Sequence, residues 1–427
     1  MMHLTRRDLL RGGALAAGAS LSSLDLRGAP PRMPKAHFAV HPFIEANPKA
    51  VFIKRTNVPH KLDEPAKLRE GLEFARDVFV PAEGPGAIPI SHRIILKPNF
   101  TSVRNRRPHE ENYGTGTDAQ FYEGIVMGLK ELGLKKFHFL EANNFHSWNY
   151  RGLVDINERH GVEMNEPERR ARHFKDAYDM TWSKVPEPVV YSRIPHFAPV
   201  NEPNTWMLNI AKWKSHGMCM TLSTKNLQGL VVKPFVRFCP SWEMVTGVPD
   251  WMKEYMYPEA ERTINKFFDN HVRLGYARYD SKHKLGPMNQ EIWAHKTCDN
   301  YQVLNPGLSI IEGIYGRDGD GFGIGTDYMT NLVMFSKDRL RLDMIGMYLG
   351  GHEPGAVNLF RTAKERGLTD TFNPWEVPVY EWVDGKPMQR KLSDFARTPM
   401  KTYYLPHDGE PLYHLVNDPI DYTKVKI

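Results

Sequence analysis

Between residues 50 and 141, short apolar runs alternate with amphipathic helix patterns, and this alternation limits the fold more than any other feature of the chain. Ala50-Val51-Phe52-Ile53-Lys54 reads as a strand, and Pro65 to Val78 carries apolar residues at helical spacing through Leu68, Leu72, Phe74 and Val78. Arg93-Ile94-Ile95-Leu96 is a continuous apolar run, the pattern of a strand covered on both faces. Asp118 to Leu132 follows as a helix, capped by Thr117 or Asp118 and closed by Gly133, and Phe137 to Leu140 is the next strand. The alternation predicts an α/β fold with a mostly parallel sheet and flanking helices. Ligands of such sheets lie off the carboxyl ends of the strands, and Lys97, Asn99 and Glu141 stand at such ends.

The later chain continues the pattern. Thr205 to Lys212, Leu308 to Ile311 and Leu332 to Phe335 read as strands, and Leu340 to Leu349 as a helix. Residues 235–300, rich in Trp, Tyr, Met and His, read as an insertion with helices, and Val377 to Val383 before Asp384-Gly385 as a β-hairpin. The expected organisation is an export signal and the start of a linker at 1–33, an α/β domain at 34–376 interrupted by the 235–300 insertion, and a hairpin and tail at 377–427. The linker is read as extending over 20–47.

The first residues carry an address. Thr5-Arg6-Arg7-Asp8-Leu9-Leu10-Arg11 fits a twin-arginine signal, followed by a weakly apolar Gly/Ala stretch with a small-residue cleavage site at Ala17-Gly18-Ala19. This predicts a periplasmic or extracellular protein whose partner during export is the twin-arginine translocase. Half of the net charge of +6 belongs to residues 1–33, which hold five Arg and two Asp. The remaining +3 is too little for the dense basic stripe of a nucleic-acid binder. No run of 18 apolar residues follows the signal, so no membrane span is expected in the mature chain.

Polar residues cluster in three places. Lys212-Trp213-Lys214-Ser215-His216 and Lys225-Asn226-Leu227-Gln228-Gly229 place three Lys, one His and one Asn within fifteen residues, beside apolar strand-like sequence. Ammonium groups there suit a carboxylate or phosphate, and their crowding lowers a lysine pKa, giving a base or nucleophile. Composition alone equally allows a solvated basic loop. Gly114-Thr115-Gly116-Thr117-Asp118 opens a helix, where free backbone N–H groups can hold an anion or merely be capped. Glu312-Gly313-Ile314 leads into Asp318-Gly319-Asp320-Gly321-Phe322-Gly323, where Glu312, Asp318 and Asp320 offer oxygen to a hard divalent cation, or form a plain glycine turn.

Other chemistries lack their residues. The sequence holds no HExxH, no GxSxG and no Walker loop. Cys239-Pro240-Ser241 lacks the downstream Arg of a sulfatase nucleophile. Three cysteines, Cys219, Cys239 and Cys298, at spacings of 20 and 59, fall short of the four thiolates of an iron–sulfur cluster, so none is expected. His138, His146 and His160 are scattered, as packing or surface residues are.

These phrases follow the order of one family. Ile94-Ile95-Leu96-Lys97-Pro98-Asn99, Lys212-x-Lys214-Ser215-His216, Thr224-Lys225-Asn226-Leu227-x-Gly229, Ile310-Ile311-Glu312-Gly313-Ile314 with Gly319-Asp320-Gly321, and Asp338-x4-Asp343 before Gly350 lead to Ala363-x-Glu365-Arg366-Gly367-Leu368. The chain resembles the domain of unknown function 362 family over about 50–368. The resemblance implies that the Lys/His/Asn set is the heart of the domain, and it names no reaction. Glu312 stands where the family usually has Asp, and Phe322 and Arg339 where it usually has Pro. The ferredoxin-like cysteine segment of many members is missing.

The leading expectation is an extracytoplasmic enzyme for an anionic or polyhydroxylated small molecule. Lys97, Lys214, His216 and Lys225 are its candidate catalytic residues; Asn99, Lys212, Asn226, Thr117 and Glu141 its candidate substrate ligands; Glu312, Asp318 and Asp320 its candidate metal ligands. Trp242, Trp251, Tyr255 and Tyr257 of the insertion are expected either to cover the site or to form a satellite core. The rivals are a non-catalytic anion- or metal-binding protein and a subunit of an exported redox complex.

Overall fold

The structure, a computed structural model, describes residues 36–100, 113–142, 148–149, 151–164, 179–232, 235, 243–279 and 285–425. The twin-arginine phrase, the cleavage site, Cys239, His146 and Trp242 lie outside the described residues. Residues 34–427 form one compact unit.

Its centre is a ten-stranded sheet: β1 (Val51–Arg55), β2 (Arg93–Pro98), β3 (Lys136–Phe139), β4 (Val162–Met164), β5 (Thr205–His216), β6 (Cys219–Thr221), β7 (Leu308–Arg317), β8 (Asp327–Ser336), β9 (Val379–Val383) and β10 (Lys386–Arg390). In space the order is β10-β9-β1-β8-β7-β5-β2-β3-β4, with β6 folded back on β5. β4, β3, β2, β5 and β7 run parallel to one another, while β6 is antiparallel to β5. β8 is antiparallel to β7 and to β1, while β9 is parallel to β1 and turns into β10. The fold is therefore α/β, with a parallel half on which the strand–helix alternation converges.

Helices cover both faces: α1 (Glu64–Val78), α2 (Ala119–Glu131), α3 (Leu153–His160), α4 (Ala260–Arg273), α5 (Leu285–Val303), α6 (Arg339–Leu349) and α7 (Asn358–Glu365). Asp118 is the N-cap of α2, its carboxylate accepting from the Gln120 and Phe121 amides. α1 and α2 touch backbone to backbone: a Cβ on Gly71 would lie 2.1 Å from the Phe121 carbonyl, and one on Gly124 2.2 Å from the Leu68 carbonyl. No side chain larger than hydrogen fits there, and the closeness lets both helices lie over β2 and β3 in one apolar core with Phe74, Phe121, Ile94 and Phe137.

Two expectations change. The stretch read as a linker to residue 47 is ordered in its last third: His37–Val40 pairs antiparallel with Phe79–Ala82, and Pro42–Ala46 is a short helix. The apolar residues Phe38, Val40 and Ile44 bury there, which a Pro/Ala/Ser average conceals. The basic phrase Lys212 to His216, read as flanking a strand, is the strand itself: β5 runs four residues further than its apolar run and is buried from Trp206 to His216. Among the described residues no helix is long and apolar enough to cross a membrane.

Candidate functional site

The carboxyl ends of β2, β3, β5 and β7 gather lysines that are wholly removed from water. On one face, Lys97 Nζ donates to Glu141 Oε2 at 2.7 Å, to the Pro98 carbonyl at 2.7 Å and to Asn226 Oδ1 at 3.1 Å. Three acceptors match the three hydrogens of an ammonium. Asn99 Nδ2 donates to the same Asn226 oxygen at 2.9 Å, and Asn226 Nδ2 reaches Asn209 Oδ1 at 2.8 Å. Gly229 lies against this pair: a Cβ there would come within 2.6 Å of Glu141 Oε1 and 2.9 Å of Lys97 Nζ.

On the other face, Lys212 Nζ donates to Glu312 Oε2 at 2.7 Å and stands 3.5 Å from the centre of the Tyr315 ring. Glu312 also accepts from the amides of Asp118 and Ile314, both at 3.0 Å. Asp118 Oδ2 accepts from Lys67 Nζ and from the Tyr315 hydroxyl, each at 2.7 Å. Burial pushes the Asp118 carboxyl up, but Lys67 and these hydrogen bonds hold it below its ordinary value.

Lys214 continues this series with different partners. Its Nζ donates to two carbonyl oxygens, Thr115 at 2.6 Å and Gly321 at 3.0 Å. Lys67, Lys97, Lys212 and Lys214 are all 0% exposed. The first three each have a carboxylate at 2.7 Å; among the described residues Lys214 has no ion pair. Burial depresses its amine well below the ordinary lysine range, Lys225, Arg151 and Arg317 press it further down, and Glu141 opposes them.

His216 shares the setting. Its Nδ1 accepts from the Met218 amide at 3.3 Å, which puts the ring proton on Nε2. The ring stands edge-on to Trp293 at 4.9 Å and tilted to Phe322 at 5.7 Å. Lys225 lies over the Trp293 ring and Lys214 over the Phe322 ring, each at 5.5 Å. Burial, then Lys225 and Lys214, keep His216 well below 6.5. The turn that carries Lys225 and Asn226, Ser223–Asn226, is pinned by Asp343 of α6. One carboxylate oxygen accepts from the Ser223 amide at 2.7 Å and hydroxyl at 2.5 Å, the other from the Thr224 amide at 2.9 Å. Burial pushes Asp343 up to about 6 against those bonds.

The sequence-predicted residues thus fall into three nests: Lys97, Asn99, Glu141 and Asn226; Lys212 with Glu312; and Lys214, His216 and Lys225. Thr117 stands between them as scaffold, its hydroxyl accepting from the Asn99 amide and donating to the Ile210 carbonyl. The start of α2, read as either an anion cradle or a plain cap, is capped from within by the carboxylates of Asp118 and Glu312. Asp318 and Asp320 bind their own loop: Asp318 takes the Thr326 amide and Tyr328 hydroxyl, Asp320 the Phe322 and Ile324 amides. Glu312 is spent on Lys212, and among the described residues no three His, Cys, Asp or Glu are placed to hold a metal ion. The three expected metal ligands therefore do not converge.

Of the rings expected either to cover the site or to form a satellite core, Trp251 and Tyr255 follow the second course. Trp251 and Tyr255 pack with Phe235 at 6.5 and 5.7 Å, and Tyr255 stacks on Trp182 at 4.6 Å. Trp293 and Phe322 are the aromatic neighbours instead. Sequence reasoning also missed Lys67, Arg151, Tyr315 and Asp343. Of the histidines read as packing or surface residues, His138 lies 3.3 Å from Glu163 and His160 2.9 Å from Glu123. Cys219 and Cys298 are free and buried.

No curated protein and no solved structure matches the chain. A family model described as "Domain of unknown function (DUF362)" matches residues 94–348, more than half of the chain, running from within β2 to within α6 and holding every residue of the three nests. The chain belongs to the domain of unknown function 362 family.

Proposed function

We propose that this protein is an extracytoplasmic enzyme that holds a small anionic substrate at Lys214, His216 and Lys225. The observation that carries the reading is the fourth lysine. A buried ammonium is costly unless an anion compensates it, and among the described residues three of the four lysines that are 0% exposed have that anion built in. Among the described residues Lys214 Nζ has two backbone carbonyls and no carboxylate as partners, and Lys225, Arg151 and Arg317 depress it against Glu141. A carboxylate or phosphate placed there would relieve the crowding and accept from His216 Nε2. The position agrees with the general habit of parallel sheets, whose ligands lie off the strand ends. The extracytoplasmic setting rests on the Arg6-Arg7 phrase.

Titration of the purified protein with inorganic phosphate at low ionic strength tests the site. Lys214→Met and Lys225→Met are each expected to weaken binding by about 10- to 100-fold, the worth of one charge-assisted hydrogen bond. Asp250→Asn, an exposed change in the insertion, leaves binding unaltered. Equal affinity in all four proteins would remove the anion site from these residues.

A further inference from the structure

The partners of Lys214 differ from those of Lys97 in a way that bears on chemistry. Lys97 Nζ meets three acceptors, one of them a carboxylate, as an ammonium requires. Lys214 Nζ meets two, the carbonyls of Thr115 and Gly321, at 2.6 and 3.0 Å. Two acceptors use the two N–H bonds of a neutral amine and leave its lone pair unengaged. Both carbonyls belong to backbone, so they fix where that lone pair points. The surrounding charges favour the same state: burial first, then Lys225, Arg151 and Arg317, all depress the amine, and Glu141, which opposes them, is itself bound to Lys97. A desolvated lysine beside other cations is the usual setting of an amine nucleophile.

The neighbours supply what such a nucleophile needs. His216 carries its proton on Nε2, since Nδ1 accepts from the Met218 amide. Among the described residues that N–H has no hydrogen-bond partner. Phe322 lies over Lys214 at 5.5 Å and beside His216 at 5.7 Å, so one ring spans both groups. It is 40% exposed, so one ring touches both solvent and the setting of the buried amine. Its place is set by Asp320, which accepts from the Phe322 and Ile324 amides at 2.7 and 3.0 Å.

We infer that Lys214 is a covalent catalyst, whose amine forms an imine with an aldehyde or ketone group carried by an anionic substrate. The inference rests on the anion site proposed above and narrows its substrate to carbonyl compounds such as 2-oxo acids. The amine lone pair attacks the carbonyl carbon, and the carbonyl π pair moves to oxygen, giving a carbinolamine. The carbon–oxygen bond then breaks as the nitrogen lone pair forms C=N. The oxygen leaves as water with the two hydrogens that the amine nitrogen has lost, while His216 Nε2 donates a hydrogen bond to the departing oxygen. No electrons are gained or lost overall.

Glyoxylate, an anionic aldehyde, is the probe, with cyanoborohydride to reduce any imine to a stable secondary amine. After brief exposure near pH 7, peptide mass spectrometry should find the carboxymethyl adduct on Lys214 ahead of the exposed lysines Lys49, Lys253 and Lys424. Inorganic phosphate should slow it, Phe322→Ala should hasten it, and His216→Gln should slow it. Lys214→Arg has no amine that can form the imine, so it should lose the adduct. Labelling spread over exposed lysines, with Lys214 unmodified even in Phe322→Ala, would overturn the inference. If phosphate still binds in that case, the anion site stands without covalent catalysis; if an adduct forms at Lys214 and phosphate does not compete, the anion site is wrong and the amine chemistry stands.

Discussion

Replacing Lys97 by methionine would leave the Glu141 carboxylate in a dry site with the Phe100 and Ala142 amides and no cation beside it. Stranding one member of a buried ion pair costs about 3–5 kcal/mol, and Lys212→Met should cost the same through Glu312. Lys214→Met strands no carboxylate and removes an amine held by two backbone carbonyls, so its loss should be clearly smaller. Chemical denaturation of the three variants reads this order directly, and an equal loss in all three would erase the distinction between paired and unpaired lysines. The residues themselves were legible: Lys97 and Glu141 are the first polar residues after apolar strand runs, and Lys212, Lys214 and His216 stand at alternate positions of one phrase. Their pairing was not. Lys67 and Asp118 are joined across two helices, and Lys212 meets Glu312 only because β5 and β7 lie side by side in register. Neither relation leaves a local pattern in a sequence.

At the scale of elements, the insertion is tied to the domain by a buried chain of ionisable groups. His271 of α4 bonds Glu291 of α5 through Nδ1 at 2.9 Å and Glu365 of α7 through Nε2 at 2.7 Å. His295 shares Glu291 at 3.0 Å, the Tyr276 hydroxyl donates to Glu365, and the Tyr276 ring stacks on His271 at 4.1 Å with Arg361 over it. Burial alone would lower His271, but the two carboxylates raise it to about 9, while Glu291 falls to about 2. A raised folded value means that the stabilisation is complete below the unfolded value near 6.5 and is lost as pH climbs through about 9. Its size is about 3 kcal/mol. Unfolding free energy followed from pH 6 to 10 should show this fall in the parent and not in His271→Gln; matching slopes would remove His271 from the cross-link. The sequence predicted helices in this insertion and could not show how they dock. The same holds for Trp293, which reaches His216 because α5 lies across the strand ends, whereas Trp251 and Tyr255, equally aromatic, were drawn into a cluster of their own.

The molecule as a whole bears on export. We predict that Arg6→Lys with Arg7→Lys leaves the full-length protein inside the cell, since the twin-arginine route reads that pair. Fractionation with detection of the mature form checks it, and unchanged appearance outside the membrane would reassign the signal. The sheet order was only partly foreseeable at this scale. The parallel half followed from strand–helix alternation, but the placing of β8 between β7 and β1, and of the terminal hairpin beside β1, depends on contacts between residues far apart in the chain.

That placing has a consequence in time. β1, residues 51–55, is among the first strands to leave the ribosome, yet its two neighbours are β8 and β9, residues 327–336 and 379–383. At the usual pace of synthesis the wait is on the order of ten seconds to a minute. Throughout it, Val51, Phe52 and Ile53, all buried in the finished sheet, have no strand to join. The export signal lies some forty residues ahead of β1, so a chain exported as proposed displays its address long before its sheet can close. On that reading β1 gains both of its neighbours only once residues 379–383 have been made, long after the Arg6-Arg7 phrase has emerged.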